Sequence, residues 1–306
     1  MASMSDSGIT IRRATEEDLD AIVEVGTAAL GWIPGEPNAE LFRWKHLDNP
    51  FGASPIWLAE AEGRIAGYRA LMRWELVDDM GKTWRAVRAV DTATHPDFQR
   101  RGIFSKLTVH GVDEMRAEGV DIVFNTPNMQ SRPGYLKMGW IDVGRLKVAV
   151  RPTALSATMR LLGARTSAEK WSEDSTVGDG AAEVLADPAL RQLVESQPGL
   201  AGLGTVVSPD FLRWRYRLTP LRYRAWAPDG LAQGVVLCRV RRRGTARECA
   251  VGHVLAPDGN SSRKRSLLRS LSKAVDADYV LRLGRPDFSA GFFPAPAQGP
   301  RLTART

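Results

Sequence analysis

One stretch, residues 86–119, decides the fold, and it reads AVRAVDTAT, then HPDFQRRGIF, then SKLTVHGVDEMRAEG. The first nine residues are short, β-branched and mostly apolar, which predicts a strand over 86–94. Apolar residues then recur at helical spacing from Ser105, and Gly119 is a typical C-terminal cap, so we expect a helix over this part. The stretch therefore predicts a strand, a basic turn with a glycine, and a helix.

The turn between this strand and this helix has the chemistry of an anion site. The first backbone N–H groups of a helix have no partner inside the helix, and the helix dipole favours negative charge at that end. Arg100 and Arg101 add two cations, and Gly102 lets the main chain approach a ligand closely. A pyrophosphate would fit such a turn. Taken alone, however, QRRG is equally well explained as an ordinary strand-to-helix turn.

A second segment follows at a suitable distance and changes this balance. Residues 123–128 read VFNTPN and residues 131–140 read SRPGYLKMGW. The first part predicts a strand that runs into a proline turn, and the second predicts a short helix that ends at a glycine. Two such segments in this order are far more specific than either alone.

Together the two segments resemble the GNAT superfamily of N-acyltransferases. The run QRRGIF at 99–104 is similar to the Q/R-x-x-G-x-G/A signature that follows the fourth strand in that family and holds the pyrophosphate of coenzyme A. Phe104 departs from it, since glycine or alanine is usual there. The resemblance implies an α/β (α+β) GNAT fold, in which helices flank a mixed central sheet, and acetyl-CoA or another acyl-CoA as co-substrate, with no metal.

The resemblance also implies which residues form the site. Tyr135 falls on the family's tyrosine position and would be the general acid that protonates the leaving thiolate, for which a phenol is suited. Its alternative role is simple packing of its helix. The residues expected to bind the cofactor are Thr92, Ala93, Thr94, Gln99, Arg100, Arg101, Gly102, Ile103, Phe104, Asn128 and Ser131.

The general base is the least determined residue. Asp91 lies on the central strand, where burial would raise its pKa towards that of a useful base, and it is our candidate. Glu75 is the next candidate. Arg88 stands near the position where some GNAT enzymes carry a glutamate base, which argues against that role here. Proton removal through ordered water is the alternative.

Composition limits the class of protein. Apolar residues make up 43% of the 306 residues and charged residues 25%, as in ordinary globular proteins, and no apolar run approaches the length of a membrane helix. Cys238 and Cys249 lie alone on two predicted strands, which favours a reducing compartment without disulfides. We therefore expect a cytoplasmic protein that acts as a monomer or homodimer and not at a membrane.

The net charge of +7 comes almost wholly from 34 arginines against 8 lysines. A bacterial genome of high GC content explains such usage, and attraction to an acidic ligand, such as coenzyme A or an acyl carrier protein, is the functional alternative. The arginines are scattered and resemble no nucleic-acid module, so we expect no nucleic acid partner.

Before the deciding stretch, the sequence predicts the opening of the same fold. An edge strand over 9–14 precedes a helix with Thr15 as N-cap, and a second helix covers 39–47. Strands over 56–60, 65–70 and 71–77 form a meander with a turn at 61–64. A last strand over 144–150 closes the first domain.

The second half contains an internal echo. RWKHLDNP at 43–50 and RWRYRLTP at 213–220 match at identical spacing, and strands over 234–240, 248–255 and 277–283 with a helix over 262–275 repeat the order of elements. So short a repeat could be chance, but the matching order favours duplication. Residues 258–265 stand where the phosphate turn would be and lack its pattern. We expect an acyl-CoA domain over 1–150, a connection with helices at 155–162 and 188–197 over 151–200, and a degenerate GNAT-like domain over 201–306.

The sequence as a whole predicts an N-acyltransferase that moves an acyl group, most simply acetyl, from coenzyme A to a primary amine of a small molecule or peptide. A protein N-terminus is another conceivable acceptor. Two alternatives stay open. One is a longer acyl-CoA or an acyl carrier protein as donor, in specialised metabolism, and the other is a non-catalytic module that binds CoA.

Overall fold

The computed structural model describes residues 8–154, 166–199, 201–295 and 298–306. Contacts divide them into two compact units, the first built from described residues within 1–144, 200–206 and 301–306, and the second from those within 145–199 and 207–300. The helix expected at 155–162 lies outside the described residues.

The first unit is built on a mixed sheet. Its strands are β1 (Ile9–Arg13), β2 (Ile56–Ala61), β3 (Arg64–Val77), β4 (Thr83–Thr94), β5 (Ile122–Asn125), β6 (Ile141–Arg145), β9 (Gly204–Thr205) and β15 (Arg301–Arg305). Their order across the sheet is β1-β2-β3-β4-β5-β15-β6, with β9 beside β3. β4 and β5 run parallel, whereas the hairpins β2–β3 and β3–β4 are antiparallel.

Helices cover both faces of this sheet. They are α1 (Leu19–Leu30), α2 (Asn38–His46), α3 (Ile103–Ala117) and α4 (Arg132–Lys137). On one face α3 buries Leu107 and Met115 against Trp57, and on the other α1 buries Ile22 against Leu58. Full burial of side chains of this size contributes roughly 1.5–3 kcal/mol each. The two cores hold β4 rigidly in the middle of the unit.

The second unit is built on a seven-stranded sheet in the order β14-β7-β13-β12-β11-β10-β8. Its strands are β7 (Val148–Pro152), β8 (Asp179–Gly180), β10 (Arg224–Trp226), β11 (Val235–Arg243), β12 (Ala246–Leu255), β13 (Tyr279–Leu283) and β14 (Phe293–Pro294). Its helices are α5 (Ala181–Val184), α6 (Ala189–Glu195), α7 (Pro209–Tyr216) and α8 (Ser261–Ala274).

Each unit contains the same local order of elements. An antiparallel hairpin, β3–β4 or β11–β12, leads into a helix, α3 or α8, and then into a strand parallel to the second hairpin strand. Both hairpins carry a register shift, and α2 and α7 hold the two echo motifs, with Trp44 and Trp214 both buried. The connection before α8, residues 256–260, is shorter than the connection before α3, residues 95–102.

Two local predictions differ from the structure, and a third agrees with it. The strands expected at 65–70 and 71–77 form one strand, β3, which continues through its register shift. The helix expected from Ser105 begins at Ile103, because Gly102 takes a left-handed conformation and caps it. The Cys238 and Cys249 thiols are free and lie on neighbouring strands, as expected.

The strand predicted to close the first domain belongs to the other sheet. β7 pairs with β13 and β14 in the second sheet, whereas β15, from the end of the chain, pairs with β5 in the first. The unit boundaries therefore differ from those expected at 150 and 200. The apolar residues of β7 would be buried in either sheet, so the sequence of the strand does not determine its partner.

Candidate active site

The site is opened by a bulge in β4. Arg69 pairs with Thr92 and Ala70 pairs with Val90, so Asp91 has no opposite residue, and its backbone has a φ of 44°. Such a bulge bends a strand and increases its twist. The parallel pairing of β4 with β5 ends at Arg88, and the backbone from 89 to 94 therefore has no neighbour on that side among the described strands.

The turn after β4 presents the start of α3 to this opening. A short 3-10 turn, Pro96–Phe98, buries Phe98, and then Arg100 and Gly102 both have positive φ, 65° and 77°. Nothing lies within 4 Å of where a Cβ on Gly102 would stand, so there is space for a side chain. Glycine is favoured here because of the positive φ. The first N–H groups of α3 have no partner within the helix, and N–H groups in such a position favour anions.

Two clefts meet at the bulge and share Leu30 and Thr92. The first, of about 370 Å³, runs along the turn and holds most of the expected cofactor-binding residues. They are Thr92, Ala93, Thr94, Gln99, Arg100, Gly102, Ile103 and Phe104. The second, of about 330 Å³, holds Asp91, Asn128, Ser131 and Tyr135.

Arg101 is not among the residues that line either cleft. Its guanidinium bonds the Glu62 carboxylate at 2.5 Å and lies over the Phe98 ring, 5.0 Å from its centre. These contacts tie the turn to the β2–β3 hairpin. They support a role of Arg101 in holding the turn, and its expected role in cofactor binding stays a prediction.

Phe104, the departure from the family signature, has a structural reason. Its ring packs edge-on against Tyr135 at 5.3 Å, and a Cβ on Gly134 would stand 3.0 Å from it. The large side chain is thus accommodated because residue 134 has none. Phe104 and Trp140 hold the Tyr135 ring from two sides in the wall of the second cleft.

Asn128 shapes the chain before α4. Its Oδ1 accepts hydrogen bonds from the Ser131 N–H at 2.8 Å, the Ser131 hydroxyl at 3.0 Å and the Gln130 N–H at 3.1 Å. These bonds give Asn128 and Ser131 a role in the shape of the turn, and both residues also line the second cleft.

The pKa of Asp91 is shifted in the direction opposite to the one expected. Burial does favour the neutral carboxyl, but the Lys45 ammonium at 2.6 Å and a hydrogen bond from His46 at 2.8 Å outweigh it, and the pKa of Asp91 lies well below its usual range. The expectation of a raised pKa is therefore wrong, because both partners lie on α2, which is far from Asp91 in the sequence. An ionised Asp91 is a weak base.

His46 is fully buried behind Asp91, and burial lowers its pKa. A neutral imidazole carries one N–H, and the carboxylate can only accept, so Nε2–H donates to Asp91. Nδ1 then accepts the hydroxyl proton of Ser54 at 2.9 Å. This chain of bonds fixes the Asp91 carboxylate at the edge of the cleft.

Sequence reasoning missed Arg69. Its side chain has no exposed area and lines the second cleft, with its guanidinium 5.4 Å from the Tyr135 ring centre and 5.9 Å from that of Phe104. All three of its nitrogens are buried without a hydrogen-bond partner among the described residues. A lone arginine within the apolar run of β3 was the signal that could have found it.

The other candidate base, Glu75, is not among the residues that line either cleft, and it lies opposite Arg85 near the far end of β3. Arg88 does line the second cleft and donates to the Thr126 hydroxyl at 3.3 Å. Neither residue supplies a carboxylate next to Tyr135.

Comparison with known proteins assigns the class. Residues 10–141 match the family model described as an acetyltransferase (GNAT) domain. No curated protein sequence matches the chain. The part of the first unit that the family model covers is thus a GNAT acetyltransferase domain, which supports acyl transfer as its activity.

Solved structures agree on the fold. A probable N-acyltransferase from Enterococcus faecalis has a TM-score of 0.66 at 13% identity, over 97% of this chain and 72% of that one. A GCN5-related N-acetyltransferase from Anabaena variabilis gives 0.65 at 13% identity over the same shares. Eis1 from Mycobacterium abscessus gives 0.59 at 15% identity, over 96% of this chain and 72% of that one.

Two further features of the described residues concern a membrane and a metal. None of the described helices is long and apolar enough to cross a membrane. Within the described ranges, no three His, Cys, Asp or Glu side chains are grouped as metal ligands would be. The cytoplasmic location stays a prediction.

Proposed function

We propose that the first unit transfers an acyl group, acetyl in the simplest case, directly from coenzyme A to a primary amine of a small molecule or peptide. The observation that carries this proposal is the continuity of the site. The glycine turn, the unpaired edge of β4 and the Tyr135 side chain line two clefts that meet at Thr92 and Leu30.

The donor would lie along this line. The N–H groups at the start of α3 and the Arg100 side chain would hold the pyrophosphate, because a helix N-terminus and a guanidinium both favour phosphate oxygens. The unpaired backbone at Thr92–Thr94 would bond the pantetheine amides as a neighbouring strand would. This arrangement brings the thioester to the second cleft.

In the reaction, the amine nitrogen forms a bond to the thioester carbonyl carbon and the carbon–sulfur bond breaks. The leaving thiolate takes its proton from the Tyr135 hydroxyl, and the proton that the nitrogen loses as the amide forms returns Tyr135 to its neutral phenol. The ammonium proton of the acceptor leaves through water, since the low pKa of Asp91 disfavours that carboxylate as a base. Ionised Asp91 instead holds the Lys45 ammonium at the edge of the cleft.

We add Arg69 to this site. Its unpaired guanidinium lies beside the Tyr135 ring, where negative charge forms on sulfur as the bond breaks. A fixed cation in a buried site stabilises such developing charge. Arg69 would thus lower the barrier without a covalent role.

The second unit has no donor site in this proposal. The shorter connection before α8 contains no counterpart of residues 99–102, and Asn260 Oδ1 already accepts the Arg263 N–H at 2.9 Å at the start of that helix. The shared order of elements supports a duplicated fold in which one copy lost the phosphate turn.

The test is release of CoA thiol from acetyl-CoA in the presence of a library of primary amines, read with a thiol reagent. Amine-dependent release supports the proposal. Binding of CoA without release for any amine, and without release from longer acyl donors or an acyl carrier protein, would identify a non-catalytic CoA module instead.

A further inference from the structure

The second unit contains a cleft of about 730 Å³ that the acyl-transfer site does not use. It opens where β12 and β13 diverge, because their parallel pairing ends at Val251 and Arg282. Gly252 and His253 line it beyond that point, and α8 closes it from one side. Pockets of 300–1,000 Å³ are typical of sites for small molecules.

The wall of this cleft is strongly basic. Seven cationic side chains line it, and Asp287 is the one carboxylate among the lining residues described. The cations are Arg215, Arg239, Arg241, Arg243, Lys264, Arg265 and Arg282. Such an excess of one charge inside a cleft focuses its field on ligands of the opposite charge.

Some of these cations are neutralised within the protein. Buried Glu248 accepts from Arg241 and Arg243, each at 2.8 Å, and Asp287 accepts from Arg265 at 2.9 Å. These pairs fix the guanidinium groups in place. They leave part of the positive charge unbalanced.

Three cations have no carboxylate within ion-pair distance in the described part of the chain: Arg239, Lys264 and Arg282. Burial lowers the pKa of Arg239, and the charges of Arg241 and Arg215 lower it further. Burial also lowers the pKa of Lys264, and the Arg282 Nε is buried without a hydrogen-bond partner. Arg239 donates to the Lys170 carbonyl at 3.3 Å and Arg282 donates to the Arg285 carbonyl at 2.8 Å, but these carbonyls do not balance the positive charge. Folded chains rarely bury a charge without a partner of opposite charge, because each one costs stability.

A bound anion would remove this cost. Guanidinium groups present paired N–H donors that match the oxygens of phosphate. Arg215 and Arg239 both lie over the Tyr223 ring, 5.7 and 5.6 Å from its centre, which orients their donors at one end of the cleft. Arg282 lies on β13 and Lys264 lies on α8, so the cleft is lined by cations from more than one side.

We propose that this cleft binds a small molecule that carries at least two phosphate groups. Recognition here rests on side-chain cations, in contrast to the backbone N–H groups of the first unit. The site is independent of the acyl-transfer proposal and stands if that proposal fails.

The test uses inorganic tripolyphosphate as probe and the full chain with Gly102→Glu, which blocks the phosphate turn of the first unit. Calorimetry should show one site per chain. Arg239→Gln and Arg282→Gln should each weaken it by about tenfold, the loss expected when one charge-assisted pair is removed. Arg191→Gln, a matched loss of an exposed charge in the same unit, should change affinity less than about twofold.

Arg239→Gln and Arg282→Gln are titrated separately, and the unfolding midpoint of each variant is measured, so that a folding defect is not taken for a loss of binding. Absence of tripolyphosphate binding, or equal weakening by Arg191→Gln, would overturn the proposal. A second titration with CoA on the same protein identifies the source of the phosphates. If CoA binds and its binding depends on Arg239 and Arg282, the phosphate groups belong to CoA. If CoA does not bind, they belong to another phosphorylated molecule.

Discussion

Replacement of Arg69 by methionine separates stability from activity at the proposed site. Arg69 is completely buried, and its three guanidinium nitrogens lack partners among the described residues. Methionine has a similar length and no charge, so it can fill the same space between the Tyr135 and Phe104 rings. The folded chain then loses a costly group and retains its packing.

The size of the effect follows from these contacts. A buried donor without a partner costs about 1–3 kcal/mol, and more when it is charged. Contacts of the cation with the two rings return about 0.5–2 kcal/mol. We expect Arg69→Met to raise the free energy of unfolding by about 2 kcal/mol, which corresponds to about 4–8 °C in Tm for a unit of this size.

The same variant should be a poorer enzyme. Loss of the cation beside the leaving sulfur should lower kcat/KM by at least about tenfold, which is about 1.4 kcal/mol of transition-state stabilisation. The assays are thermal unfolding without ligand and thiol release from acetyl-CoA. Arg73→Met is the matched control on the same strand, because Arg73 bonds Glu118 at 2.8 Å and does not line either cleft.

The control should lose no more than about 1 kcal/mol of stability and keep its activity. A lower Tm for Arg69→Met, together with unchanged kcat/KM, would refute the reasoning. That result would mean that Arg69 is satisfied in solution and takes no part in the reaction.

Two other predictions follow from the site. Tyr135→Phe should lower kcat by about a hundredfold or more with little change in KM, since a general acid contributes about 10²–10⁴; unchanged kcat in steady-state assays would remove the acid role. The lowered pKa of His46 means that the unfolded chain takes up this proton first, so stability is full above the ordinary pKa of about 6.5 and falls as pH drops below it. Denaturant unfolding between pH 7.5 and 5 should show this loss. His46→Gln, which can keep the bond to Asp91, should reduce the slope of the free energy of unfolding against pH by up to about 1.4 kcal/mol per pH unit. An equal slope in both proteins would contradict the burial of a neutral His46.

The sequence predicted the parts of the site that are local. Strand, turn and helix over 86–119 follow from periodicity and one glycine, and the structure has β4, the turn and α3 there with small shifts at the ends. The positive φ of Gly102 explains why that glycine was informative.

Long-range pairing was not predictable in the same way. β7 pairs in the second sheet and β15 in the first, and the residues of neither strand identify its partner. A strand pattern states which side chains are buried and not which neighbour buries them. The unit boundaries depended on that choice.

Side-chain partners from distant elements also escaped the sequence. Lys45 and His46 come from α2 and reverse the expected pKa shift of Asp91, and Arg69 reaches the tyrosine from β3. The basic cleft of the second unit likewise gathers arginines from several strands. In the sequence they look like ordinary exposed arginines, because the net charge of a chain does not show which arginines lie close together in the fold.

The most direct measurement of the central claim is titration of the chain with acetyl-CoA by calorimetry. It is made in an Arg239→Gln background, which weakens the second cleft. We predict one site, its loss in Gly102→Glu, and its retention in Gly81→Glu. Gly81 is the matched control, since it has a positive φ and open space around it but lies at the other end of β4. Unchanged affinity in Gly102→Glu, or equal loss in both variants, would contradict the assignment of the turn as the coenzyme A site.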